Sequence, residues 1–434
     1  MTDTATFRGV PVLGALAALA RRDPEVWTDL RLRHGNVFRI ILHGEPITVV
    51  CHPDGARHVL VDAAERYPDK GGATGFRRSV LTLTGSALST MDVQDEAWNC
   101  RRRVLRPLFA HSDLDAAVTE LDRITDATLL APLDPVGEAD VLPLVKEVVL
   151  RSLTHQLFGT EPGSAETLIV ALDRITSYMW PGVVAARWPR AVPFPGRRGQ
   201  RTAVAAIDDV ITALASRNVP TARGDVVDLL RSHYGGDCAE LVRDEAAAML
   251  LGSQPLAMSL AWALRLLSER SDVQRRLVAE LSHLDGGSAR RLAGQSYLRA
   301  VVKESLRLCP PTYWVQRRAS QPDMIGEVGI PAGGLVLLQI HQIHRNPDAW
   351  AEADTFSPER FLRTATPRSA TSWLPFGLGR RTCVAQEYSI LQMALVIARV
   401  VTRFRLEPVG PRPALEATLN LRPAGPVRIR MVRR

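Results

Sequence analysis

From Asp244 to Leu267 runs the longest helical pattern in the chain, and it is apolar on nearly every face. A helix without a polar face has to be covered on all sides, so this one is expected to cross the middle of a substantial core. The 434 residues are 46% hydrophobic, with no low-complexity block and no internal repeat, which is the composition of an ordinary globular protein. Length alone allows two or three domains. No polar linker divides the sequence, however, so one large domain spanning 1–434 is the expectation.

Helical periodicity dominates elsewhere too. Residues 36–50 alternate and are rich in β-branched side chains, which predicts a hairpin turned at His43-Gly44-Glu45. Residues 54–63 read as helix, and Lys70 to Thr90 as a Gly-, Ser- and Thr-rich loop. Asp95 to about Gly159 is helical, broken at Pro107 and Pro132, and the Pro- and Gly-rich passage Trp188 to Gly199 is a hinge or lid candidate. A helix over 298–309 stops at Pro310-Pro311, short strands follow around 325–340, and a final helix starts at Cys383. The predicted fold class is mainly α with minor β at one side.

The formal charge is +8, and Lys70, Lys146 and Lys303 are the only lysines. The arginines are scattered, without one basic tract interleaved with aromatics, so nucleic acid is not the expected partner. An acidic redox protein is the better reading of the charge. Cys51, Cys100, Cys238, Cys309 and Cys383 are odd in number and widely spaced, which argues against a disulfide framework or a structural zinc site and for a reducing cytoplasm. Within the N-terminal segment 1–34, Val10 to Ala20 is apolar but shorter than the roughly 20 residues a spanning helix needs. No membrane anchor is expected there.

The segment Phe376-Gly-Leu-Gly-Arg-Arg-Thr-Cys383 carries the chemistry. Gly377 and Gly379 permit a tight loop, and the cysteine stands at the start of an apolar pattern. Unpaired N–H groups and the dipole at a helix N-terminus favour a thiolate, the form of cysteine that binds metal. Phe376, Gly379, Arg381 and Cys383 resemble the haem-binding loop of the cytochrome P-450 family, with Ala385 where that family usually has glycine. Glu304-Ser-Leu-Arg307 resembles the family's Glu-x-x-Arg helix motif, whose spacing puts both side chains on one face. With Arg360 of Pro358-Glu-Arg360-Phe361 it resembles the Glu-Arg-Arg network that braces the haem loop. Trp98-Asn-Cys-Arg-Arg102 resembles the Trp-x-x-x-Arg helix that binds a haem propionate, and Arg317 stands where the family places a further propionate-binding arginine.

The resemblance runs from about Gly35 to the C-terminus. It implies the P-450 fold, haem b ligated through the Cys383 thiolate, and oxidative chemistry in which thiolate ligation favours O–O cleavage. Phe376, Gly379, Arg381, Trp98, Arg102 and Arg317 are the implied cofactor-binding residues; Glu304, Arg307 and Arg360 are implied to be structural.

One departure bears on the reaction. Family members usually read Ala-Gly-x-Asp/Glu-Thr-Thr/Ser in the central helix, where this chain has Leu251-Gly-Ser-Gln-Pro-Leu256. The acid becomes Gln254, which holds a water but does not titrate, and the two alcohols become Pro255 and Leu256. Pro255 removes a backbone donor and kinks the helix. Three readings follow: a substrate that supplies its own protons from an N–H or O–H, suited to oxidative cyclisation or C–N and C–C coupling; peroxide in place of dioxygen; or rearrangement without dioxygen. Ordinary hydroxylation or epoxidation, and a haem-binding sensor that never turns over, are the alternatives.

By family position the pocket is lined by the loop 71–88, by 177–183 with Trp180, by Leu250 to Pro255 with Leu251, by Thr312 to Gln316 with Tyr313 and Trp314, and by Thr418 to Leu421 with Leu419. An apolar pocket of this kind suits a compact natural product, aromatic or peptide-like. No flavin or ferredoxin module is evident, so electrons are expected from a separate ferredoxin and its reductase, docked on Arg101, Arg103 and Arg380.

Overall fold

The computed structural model describes residues 6–7, 22–42, 45–68, 83–91, 93, 95–109, 114–133, 137–184, 196–216, 224–282, 291, 294–362 and 370–434. The chain opens with β1 (Thr6–Phe7), α1 (Glu25–His34), β2 (Val37–Leu42) and β3 (Glu45–Val50). β2 and β3 pair antiparallel from Val37↔Val50 to Leu42↔Glu45, which is the hairpin that the alternation predicts. A short helix, Pro53–Arg57, then runs into a π-helical turn, His58–Asp62.

Helices α2 (Glu96–Leu105) and α3 (Leu114–Thr125), strand β4 (Glu138–Asp140), and helices α4 (Val141–Phe158), α5 (Ala165–Val184), α6 (Arg197–Ala215) and α7 (Val226–Tyr234) follow. Acidic residues start several of them: Asp95 accepts from Ala97 N at 2.8 Å, and Asp140 accepts from Leu142 N at 3.2 Å. Each satisfies one of the orphan donors of a helix N-terminus.

The central pattern forms two helices, α8 (Ala239–Leu251) and α9 (Ser253–Ser268), separated only by Gly252. The break lies three residues before Pro255. Proline is tolerated in the first turn of a helix, where its N–H has no partner to lose; ending α8 at Leu251 puts Pro255 in that first turn. Together α8 and α9 are long and apolar enough to cross a membrane, yet two-thirds of the apolar window is buried inside the protein. α9 packs on α4 and on two later helices, α11 (Ser296–Leu308) and α12 (Gln386–Arg403), with α10 (Ser271–Ser282) following it in the chain. Leu260, Leu264 and Leu267 are fully buried, each contributing about 1.5–3 kcal/mol by transfer from water.

After α11 come β5 (Val315–Arg318), β6 (Asp323–Ile325), β7 (Val328–Ile330) and β8 (Leu335–Leu338). The largest sheet has the order β1-β2-β3-β8-β5. α12 leads into β9 (Phe404–Pro408), β10 (Leu415–Ala417), β11 (Leu421–Pro423) and β12 (Arg428–Arg433), and β12 lies between β4 and β9. The fold is mainly helical with its small sheets set aside, as expected. α12 begins at Gln386 and not at Cys383, because Cys383 N donates to Phe376 O at 2.9 Å and closes a loop instead.

Candidate active site

The Phe376–Cys383 loop owes its shape to two glycines in the left-handed region, Gly377 at φ +72° and Gly379 at φ +74°. A β-carbon on Gly379 would stand 2.2 Å from the Leu60 carbonyl oxygen, so only glycine lets the loop lie on the His58–Asp62 turn. The Thr382 hydroxyl donates to Gly379 O at 2.7 Å. Ala385, at φ −96°, needs no glycine. Of the five cysteines, Cys383 alone is exposed; Cys51, Cys238 and Cys309 are buried.

Cys383 lines a cavity of about 280 Å³ between α2, α8, α9 and the start of α12. Trp98, Arg102 and Arg381 share that wall. The Trp98 indole N–H donates to Leu88 O at 3.1 Å, Arg102 donates to Thr382 O at 2.7 Å, and Arg381 donates to Met91 O at 3.1 Å. Both guanidiniums lie against the Trp98 ring, at 5.5 and 5.7 Å from its centre. Burial pulls the Arg102 guanidinium below its ordinary value, and the nearby Cys383 sulfur acts in the opposite sense. A smaller adjoining cavity is lined by Arg317, Arg380 and Arg381, with Glu65 as its one carboxylate. A thiol and four arginines around two spaces that share Arg381 is a donor set that fits an iron macrocycle bearing carboxylates.

A buried network stands behind the loop. Arg307 donates twice to Glu304, at 2.7 and 2.9 Å, and Arg360 donates to the same carboxylate at 3.0 Å. His344 extends it. Its Nδ1 lies 3.1 Å from Arg307 O, and its Nε2 accepts from Leu374 N at 2.7 Å. Leu374 O in turn accepts from Gly377 N at 3.0 Å. The brace therefore reaches the haem-type loop through a histidine that sequence reasoning overlooked. Burial, with the Arg307 charge beside it, holds this imidazole down at about 3.

On the central helices, Ala248, Met249, Gly252, Ser253 and Leu256 face the cavity. Ser253 is the one alcohol among them, and it donates to Leu250 O at 2.6 Å. Gln254 and Pro255 are absent from the wall, and the buried Gln254 Oε1 takes no hydrogen bond among the described residues. Leu251, Tyr313, Trp314 and Leu419 are absent from it as well. Tyr313 is buried and donates to Thr418 O at 2.8 Å, packing with Ala417 and Leu421. For Leu251, Gln254 and Pro255 the reason is helical phase, since the neighbouring Gly252, Ser253 and Leu256 face the space, whereas no residue of 312–316 or 418–421 lines it. Most of the loop expected at 71–88, most of the passage 188–199, and the Trp180 side chain lie outside the described residues.

One further residue differs from the sequence expectation, and one was missed by it. Arg101 turns inward, donating to Ser86 O and lying 3.3 Å from Glu245, so it is no exposed docking charge; Arg103 and Arg380 are exposed. Glu245 lines the cavity at 1% exposure, and burial pushes its carboxyl up to about 7 while Leu88 N–H and Arg101 oppose the shift. An acid opening an otherwise uncharged run was the signal that marked it.

Fold and site together define a large, mainly helical protein built around a cysteine-bearing loop. The chain belongs to the cytochrome P450 family, whose model matches residues 5–431, and it is an oxidoreductase. It is 28% identical to a cyclooctat-9-en-7-ol 5-monooxygenase of Streptomyces melanosporofaciens, over 92% of this chain and 88% of the relative. To a pentalenene oxygenase of Streptomyces avermitilis it is 26% identical, over 92% and 90%. The fold matches that of a retinoic acid bound cyanobacterial CYP120A1 with a TM-score of 0.86, at 22% identity and 99% coverage of both chains.

Proposed function

We propose that the chain oxidises a small, largely apolar natural product by dioxygen activation, with the substrate's own O–H or N–H supplying protons, so that oxidative cyclisation or coupling is the favoured outcome. Cys383 is the thiolate ligand. Arg102, Arg317 and Arg381 hold the macrocycle's carboxylates, and Trp98, whose N–H is taken by Leu88 O, packs under the Arg102 and Arg381 guanidiniums in place of the hydrogen bond the sequence led us to expect. Phe376 and Gly379 shape the ligand loop, and Glu304, Arg307 and Arg360 brace it. The haem, bound there, supplies the oxidising equivalent that no side chain can provide.

The observation that carries the reading is the helix face over the cavity. It presents Gly252, Ser253 and Leu256, and its single hydroxyl is committed to Leu250 O. No carboxylate stands within a helical turn of Gly252, and Gln254 turns away. The α8–α9 side of the wall is otherwise formed by Ala248, Met249 and Leu256, which suits a hydrocarbon skeleton beside the macrocycle. Two relatives are named for an alkenol and an alkene, which supports the apolar class over an aromatic or peptide one. Electrons come from a separate ferredoxin and its reductase, with Arg103 and Arg380 on the docking face.

The test is reconstituted turnover under isotope-labelled dioxygen, on compounds first selected by a Soret blue shift from a panel of cyclic terpenoids, indoles, phenols and N-methylated peptides. A product lighter by two hydrogens and free of label supports cyclisation or coupling. A product that gains one labelled oxygen establishes ordinary monooxygenation, the second reading, which the names of the relatives favour.

A further inference from the structure

Among the described residues, the cavity beside Cys383 has a single carboxyl group on its wall, and the proton-handling argument leaves it without a role. Glu245 projects from α8 on the same face as Ala248, Met249, Gly252, Ser253 and Leu256, the spacing of one helical stripe. Its Oε1 is fully engaged: Leu88 N donates to it at 2.8 Å, and Arg101 Nη1 lies 3.3 Å away. Its Oε2 takes no hydrogen bond among the described residues. The adjacent Asp244 faces elsewhere, accepting from Ser86 N at 2.7 Å and from Arg243 at 2.9 Å. Glu245 is thus tied in place by one oxygen, while the other has no hydrogen bond among the described residues on a side chain that lines the cavity.

A buried acceptor left open is costly, and a ligand donor that satisfies it is strongly selected over an analogue that lacks the donor. The charge state narrows the donor. Burial raises this carboxyl and Arg101 offsets what charge remains, so a second cation gains little there, whereas a neutral hydroxyl, which both donates and accepts, completes the coordination of Oε2 without adding charge. The other charged neighbours, Asp244 and Arg243, pair with one another and not with the cavity.

We infer that Glu245 is a specificity-determining residue that receives the hydroxyl group of an otherwise apolar substrate. The inference rests on the reading that the substrate is a small apolar natural product, and it narrows that class to alcohols. The enzyme then acts on a skeleton already oxygenated once, and the reaction that supplies its substrate is one that installs a hydroxyl, either by hydration of a carbocation or by an earlier hydroxylation.

The experiment is a Soret-shift titration of the holoenzyme with two probes of one shape, the sesquiterpene alcohol cedrol and the hydrocarbon cedrane. The wild-type protein is expected to bind cedrol about tenfold or more tightly than cedrane. Glu245→Leu is expected to erase that preference by weakening cedrol while cedrane binding is kept. Glu245→Gln, which keeps an acceptor oxygen and the tie to Leu88 N, should retain most of it; the ferrous–CO spectrum reports that each variant holds its haem. Equal affinities in the wild type, or a cedrol preference that survives in Glu245→Leu, would overturn the assignment of Glu245 alone. Failure of both probes to shift the wild-type spectrum would overturn the apolar-substrate reading with it.

Discussion

Substituting Gly379 by alanine tests the idea that the ligand loop is held by a backbone contact with the His58–Asp62 turn. Two costs add. Alanine at φ +74° occupies the left-handed region, at about 1–2 kcal/mol. Its β-carbon would also lie 2.2 Å from the Leu60 carbonyl oxygen. A backbone atom cannot rotate away, so loop or turn must shift by roughly 1 Å, an overpacking cost of about 1–3 kcal/mol. The sum is about 2–5 kcal/mol. For 434 residues the unfolding entropy is about 0.9 kcal/mol/K, so Tm should fall by about 2–5 °C, with a lower haem content at equal expression. Gly377→Ala is the internal control. Its φ is +72°, but the nearest atom to an added β-carbon is 4.0 Å away, so only the conformational cost applies, about 1–2 °C. Calorimetry and haem-to-protein absorbance on the two variants decide the matter: equal losses would refute the Leu60 contact as a constraint.

Cys383→Ser should abolish the long-wavelength Soret band of the ferrous–CO adduct, and a retained band would refute the ligand assignment. Glu304→Gln leaves two buried guanidiniums around a neutral amide; a loss of about 3–5 kcal/mol in denaturant unfolding is expected, and an unchanged midpoint would show the network to be dispensable. His344 is neutral in the folded state, with its value depressed from 6.5 to about 3. Its contribution is therefore complete above pH 6.5 and is lost as pH falls toward 3, by at most about 4–5 kcal/mol. His344→Asn should flatten the acid limb of a stability–pH profile relative to wild type, and an identical limb would exclude His344 as its source.

The hairpin β2–β3 was legible because strict alternation has one structural meaning, and α11 because Pro310-Pro311 leaves a helix nowhere to go. The Gly-x-Gly spacing before Cys383 likewise announced a tight loop. The start of α12 was not legible: the apolar pattern begins at Cys383, and only the three-dimensional closure of Cys383 N on Phe376 O withholds those residues from the helix. The break at Gly252 was foreseen as a kink at Pro255. Which residue yields depends on how α8 and α9 each pack, and one-dimensional pattern is silent on that. Arg101 was misread as a docking charge, and Glu245 was passed over. Both lie mid-helix, and their burial follows from the segment Gly85–Leu88 folding over both, a contact that one-dimensional pattern does not show. His344 left no sequence signal, since a histidine bridging two backbone groups looks like any other.

The contact between Gly379 and Leu60 has a consequence for biosynthesis. Every group that positions the ligand loop precedes it in the chain: Leu60, Trp98 and Arg102, the Glu304–Arg307 pair and His344. At about 5–20 residues per second, the ribosome delivers Leu60 many seconds before Cys383, with nothing yet to rest upon it. The docking surface for the loop is already synthesised when the cysteine emerges, so capture of the cofactor becomes one of the closing acts of translation. A nascent chain arrested before Arg360 would carry an incomplete brace and no ligand, leaving free haem nothing in it to engage prematurely.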